Sequence, residues 1–128
     1  MKLLASVVII FFAISIGSPL FDEIYAQTAK EVKVSIPKGT ASPGCEVKKS
    51  CYKPYETKAK VGSKVTWKND DTTTHTVTSG KKTTPDKQFD SGMIMPGKSY
   101  SNTFKKAGTF DYFCMAHPWM TGKVVVSK

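Results

Sequence analysis

Arginine is absent from this 128-residue chain, and every one of its 19 basic side chains is lysine. Without a guanidinium fork there is no bidentate contact to a guanine edge or a phosphate, which argues against nucleic acid as a partner. Histidine is nearly as scarce, with two residues, and acidic groups number ten. No Ser-His-Asp arrangement or paired-carboxylate motif stands out, so nothing points to hydrolysis, and the chain reads as a non-enzyme. Repeats and low-complexity tracts are missing. Beyond the first residues no stretch keeps a 3.6-residue apolar period, which excludes amphipathic helices as the main architecture.

The one long hydrophobic run lies at the start. Lys2 precedes the apolar stretch Leu3 to Ile16, which Gly17-Ser18-Pro19 breaks, and Ala26 offers a small residue before Gln27. Residues 1-26 therefore read as a signal peptide or, if retained, as a membrane anchor; Leu3 to Phe21 is marginal against the ~20 apolar residues a spanning helix needs. No cysteine stands near the break for lipid attachment. Residues 27-128 form a single domain of ordinary globular composition. Either outcome puts that domain outside the cytoplasm: in the periplasm, secreted, or on the outer face of the cytoplasmic membrane. Disulfides persist there.

Three cysteines fit such a setting. Cys45 and Cys51 close a short loop flanked by Pro43-Gly44 and Pro54, and pair as a disulfide, the alternative being two free or metal-binding thiols. Cys114 is left as an odd thiol that needs another explanation.

Short strands are the recurring unit. Val32, Val34 and Ile36 alternate with polar neighbours, the period-two mark of a half-buried strand. Thr57–Val61, Val65–Lys68, Thr76–Ser79, Tyr100–Phe104, Thr109–Phe113 and Lys123–Val126 read as further strands. Gly62-Ser63 forms a turn, Lys106-Ala107-Gly108 a hairpin, and residues 80-98 a longer loop. Seven or so strands with turn signals every 8 to 12 residues predict an all-β, Greek-key antiparallel β-sandwich. Phe110, Tyr112 and Cys114 share one face of their strand, aiming the thiol at the end of the core.

The segment Cys114-Met115-Ala116-His117-Pro118-Trp119-Met120 then spaces a thiolate, an imidazole and a thioether three residues apart. The second imidazole is His75, at the head of the Thr76–Ser79 run. A Cys, two His and a weak axial Met make the donor set of a blue-copper site, neither all-nitrogen nor all-sulfur, so that little has to move between Cu(II) and Cu(I). Structural zinc sites prefer four strong donors over a thioether.

Taken together, Val65-Thr66-Trp67-Lys68-Asn69, His75-Thr76-Val77 and Gly108 through Val124 resemble the cupredoxin family, most closely its plastocyanin-like and amicyanin-like members. Two residues between His117 and Met120 match the short amicyanin loop. The resemblance implies one copper ion held by His75, Cys114, His117 and Met120, with a backbone N–H beside His75, that of Thr76, donating to the sulfur. Thr76 stands where many members carry Asn, and the Cys45/Cys51 loop is not general to the family. The resemblance further implies an electron carrier whose His117 lies near a docking patch of Met93, Ile94, Met95, Pro96, Met115, Pro118 and Trp119. Its partners would be transient redox proteins, acidic or membrane-bound, attracted by a chain that carries +10 once residues 1-26 are set aside. The alternative is copper transport or storage, suggested by Met93 and Met95. Two histidines are too few for the trinuclear cluster of a multicopper oxidase.

Overall fold

The computed structural model describes residues 30–81 and 83–128; the leader at 1-26 lies outside them. Eight strands follow one another: β1 (Glu31–Ile36), β2 (Glu56–Lys60), β3 (Lys64–Asn69), β4 (Thr78–Lys81), β5 (Thr84–Asp90), β6 (Ser99–Thr103), β7 (Gly108–Phe113) and β8 (Thr121–Ser127). One sheet has the order β1-β3-β6 and the other β2-β8-β7-β4-β5. The expected β-sandwich is therefore the architecture. Its sheets are mixed: β1 runs parallel to β3 and β2 parallel to β8, while β3–β6, β4–β5, β4–β7 and β7–β8 are antiparallel.

Alternation puts the core where the sequence pattern called for it. Val34 and Ile36 of β1, Val65 and Trp67 of β3, Ala59 of β2, Tyr112 of β7, and Val124 and Val126 of β8 are buried. Trp67 lies at the centre, paired in register with Val34 on one side and Tyr100 on the other. Its ring stacks on Phe89 and Tyr100 at 6.0 and 5.8 Å and meets the edge of Tyr112 at 5.4 Å. Each such fully buried large apolar side chain contributes about 1.5–3 kcal/mol.

Three local expectations are corrected. Residues 80-98 are not one loop, because β5 occupies Thr84–Asp90. This strand is at the sheet edge, starts Thr84-Pro85 and buries only Phe89, so it has no alternating apolar signal to read. Lys106-Ala107-Gly108 does not close a hairpin either: β6 and β7 belong to different sheets, and the turn crosses the sandwich. The stretch after His75 also starts pairing later than expected. His75 makes an isolated bridge to Ile94, and β4 begins only at Thr78.

Candidate metal centre

At one end of the sandwich, the seven residues from Cys114 to Met120 join β7 to β8. The Cys114 N–H donates to the Met120 carbonyl at 3.1 Å and the Met120 N–H to the His117 carbonyl at 2.9 Å, folding the segment into a tight loop. It is fastened to the neighbouring segment by the Met115 N–H, which donates to Thr76 Oγ1 at 2.8 Å. His75 arrives from that segment, held by two backbone hydrogen bonds to Ile94 at 3.2 and 2.7 Å.

Two remote parts of the chain thus bring three donor atoms together. Cys114 Sγ lies 3.9 Å from His75 Nδ1 and 3.7 Å from His117 Nδ1, and the two Nδ1 atoms are 3.1 Å apart. All three lie within 4.8 Å of one another, with His75 and Cys114 buried and His117 half-buried. Met120 is fully buried. A second group, Cys45, Glu46 and Cys51, has its sulfurs joined in the Cys45–Cys51 disulfide and offers no thiolate.

Supporting contacts fix two of the donors, His75 and Cys114. Asp71, almost fully buried, accepts from His75 Nε2 at 2.7 Å. With Nε2 held as the donor to Asp71, Nδ1 is the nitrogen that faces the sulfur: it donates to the thiolate when protonated and offers its lone pair to a metal when not. Asp71 in turn accepts from the N–H groups of Thr72 and Gly39 at 2.8 and 3.2 Å. Burial alone would raise its carboxyl pKa; the His75 bond and these two amides lower it on balance. Asn69, with no exposed surface, braces the turn: its side chain donates to the Thr73 and Ile94 carbonyls and accepts from the Asp71 N–H. The Thr76 N–H donates to Cys114 Sγ at 3.3 Å, as the sequence predicts, and its hydroxyl takes up the Met115 amide.

Electrostatics follow from these contacts. Burial would raise the Cys114 thiol, but hydrogen bonds from His75, from the Thr76 N–H and from His117 outweigh it and bring its pKa down to about 6. His75 shows the mirror image. Burial works against its charged form, yet Cys114 and Asp71 raise its pKa on balance. Such a pocket favours a sulfur anion beside imidazole nitrogen, the donor chemistry that suits copper and disfavours hard cations such as calcium or magnesium.

Of the residues expected to form the docking patch, Met93, Met95 and Met115 are 73%, 54% and 53% exposed, and Pro96 and Pro118 are exposed as well. Trp119 is half-buried, with its ring 5.4 Å from that of His117. Ile94 must be struck from the expected surface patch, since it is 3% exposed. Its backbone pairs with His75, and strand alternation turns its side chain inward while Met93 and Met95 point out. Asp71 and Tyr52 were not singled out in the sequence. The one available signal for Asp71 was a carboxylate four residues before His75, hidden in a polar turn.

A model of the family described as copper binding proteins, plastocyanin/azurin family, matches residues 40–127. Amicyanin of Paracoccus versutus is 34% identical over 120 residues, covering 92% of this chain and 89% of that protein. Among solved structures, a novel purple cupredoxin from Nitrosopumilus maritimus superposes with a TM-score of 0.68 at 30% identity, over 75% of this chain and 99% of that one. A reduced mutant of amicyanin gives 0.59 at 32%, over 76% and 82% of the two chains. A thiol and two imidazoles meeting at the end of this sandwich agree with those likenesses, and the chain belongs to the plastocyanin/azurin family of copper binding proteins, with copper as its cofactor.

Proposed function

We propose that this protein is a type 1 (blue) copper protein that carries single electrons between redox partners outside the cytoplasmic membrane, with His75, Cys114 and His117 as equatorial ligands and Met120 as the axial one. The observation that carries the reading is the convergence of Cys114 Sγ and two Nδ1 atoms within 3.1–3.9 Å, with His75 and Cys114 also held by other contacts. When bound, copper supplies the one-electron couple. The chain's own residues supply rigidity: Asp71 orients His75, the Thr76 N–H faces the sulfur, and the Cys114–Met120 loop is pinned by its internal hydrogen bonds. A donor set that cannot shift keeps the rearrangement between oxidation states small.

His117 is the least buried of these ligands. Exposed Met93, Met95, Met115 and Pro118 would form with it an apolar surface suited to brief docking, and the lysine-rich charge of the chain favours acidic or membrane-bound redox partners. A retained residue 1-26 segment would tether the domain at the outer face of the cytoplasmic membrane. No residue is assigned a catalytic role.

Loading the protein with cupric ion tests the reading. It predicts one copper per chain, an intense visible absorption from thiolate-to-copper charge transfer with a narrow paramagnetic-resonance splitting, and loss of both in Cys114→Ser. A colourless cupric adduct would overturn the proposal. More than one ion per chain, readily handed to an acceptor, would favour transport instead.

A further inference from the structure

The loop between β1 and β2, residues 37 to 55, is long and mostly solvated. Of its residues only Thr40, Cys51 and Tyr52 are buried, and Val47 is 82% exposed. Tyr52 packs its ring against Tyr112 of the core at 4.8 Å, while its hydroxyl points to the metal end. Gly39, Thr40 and Tyr52 reach the metal end, where they meet Asp71, Trp119 and Thr76, three groups that adjoin the ligands.

Three contacts make the connection. The Gly39 N–H donates to Asp71 Oδ1 at 3.2 Å, and the other oxygen of Asp71 holds His75. The Thr40 carbonyl accepts from Trp119 Nε1 at 3.1 Å, inside the loop between His117 and Met120. Tyr52 Oη donates to the Thr76 carbonyl at 2.6 Å, and the Thr76 N–H is the one that faces Cys114 Sγ. Burial raises the phenol pKa of Tyr52, keeping it a neutral donor. The disulfide sits among these contacts. Cys45 Sγ is 4.0 Å from the Thr40 carbonyl oxygen and Cys51 Sγ is 4.0 Å from that of Trp119.

We propose that the Cys45–Cys51 loop is a positioning brace for the metal centre, gripping it through Asp71, Trp119 and Thr76, with the disulfide holding the three grips in mutual register. The inference rests on the reading of His75, Cys114 and His117 as ligands. Apart from the backbone bridge of Lys53 to Ser35 beside Tyr52, an open loop of this length has few anchors to hold three contacts at once. Cross-linking residues 45 and 51 removes much of that freedom. Contacts behind the ligands govern how tightly and in what geometry a metal is held, with losses of roughly 10–100-fold in affinity when they are removed.

The test compares the wild-type chain with Cys45→Ala/Cys51→Ala, in which Cys114 is the sole remaining cysteine. In metal-free protein, alkylation of Cys114 by iodoacetamide should accelerate about tenfold, because its cover opens locally. Amide exchange at Tyr112 and Val124, in the core strands, should stay at the wild-type rate. In copper-loaded protein the visible band and the potential should shift, and copper affinity should fall about 10–100-fold. Tyr52→Phe, which deletes one donor and keeps the ring, should move the same readouts in the same direction by less, as should Trp119→Phe, which deletes the indole N–H and leaves a smaller aromatic ring; Tyr52→Phe decides the matter should the double variant not fold. Alkylation that matches the wild type, or rises only in step with core exchange, overturns the brace. A wild-type chain giving no coloured cupric adduct would defeat the ligand assignment instead, while the metal-free alkylation comparison would still decide on the brace.

Discussion

Cys114 is where the residue-scale forces are most sharply opposed. A buried thiol ordinarily resists ionisation, yet here its neighbours all stabilise the anion and its pKa falls to about 6 from the usual 9.0. For the metal-free protein the sign follows directly. A folded-state pKa below the unfolded one gives stability that is fully present above about pH 9 and is lost as pH falls towards about 6. His75 runs the other way, since its raised pKa contributes stability at low pH that disappears as pH rises through the folded value. The pair is thus most stabilising where the thiolate and the imidazolium coexist. Thiolate absorbance of the chelator-treated protein should titrate with a midpoint near pH 6, and the loss of melting temperature between pH 9 and pH 6 should be shallower in Cys114→Ser. A thiolate midpoint near 9 would contradict the contacts to the sulfur. The donors themselves were legible in the sequence because the chemistry of each is carried by its residue type. Asp71 and Tyr52 were not, because a carboxylate or phenol acquires its role only through what lies beside it in space: Asp71 under His75, Tyr52 against the Thr76 carbonyl.

Elements were legible in proportion to how much apolar surface they bury. β1, β3 and β8 alternate cleanly, and each was expected within a residue or two of its ends. β5 was not, because it lies at an edge and presents polar side chains to water. What secures β5 is backbone geometry at Gly80, in β4. This residue adopts φ +140, beside an irregularity in the β4–β5 register, and a Cβ there would collide with the Thr84 carbonyl of β5. Both the close approach and the positive φ require glycine. Gly80→Ala should therefore destabilise the fold by about 2–3 kcal/mol, read as a lower midpoint in denaturant unfolding. Because β4 is bridged to β7 through Thr78–Phe113 and Ser79–Tyr112, and Cys114 follows directly, the cupric band should survive with altered intensity. An unchanged unfolding midpoint would mean that β5 is free to move away from Gly80.

For the whole molecule, long-range order is what the sequence could not supply. The parallel pairs β1–β3 and β2–β8, and the crossing from β6 to β7 between sheets, depend on partners that no local pattern names. Net charge, by contrast, is additive and needs no fold to be read. Eighteen lysines follow residue 26 against eight acidic residues, one of which, Asp71, is buried against His75. Exposed pairs such as Lys64–Glu31, Lys68–Asp70, Lys81–Asp111 and Lys123–Glu56 engage few of those lysines, and pairs of this kind contribute little to stability. The rest leave a positive field over the surface. That field should act on encounter rates and not on the potential of the site. Electron exchange between the copper-loaded protein and a small anionic iron complex should therefore outpace exchange with a cationic complex of matched driving force. Raising ionic strength from about 0.01 M to about 1 M shortens the screening length from ~30 to ~3 Å, and the two rates should converge as it does so. Stopped-flow measurement across that range reads the effect directly. Equal rates at low salt would mean that the lysines are spread too evenly, or lie too far from His117, to guide a charged partner to the apolar surface around it.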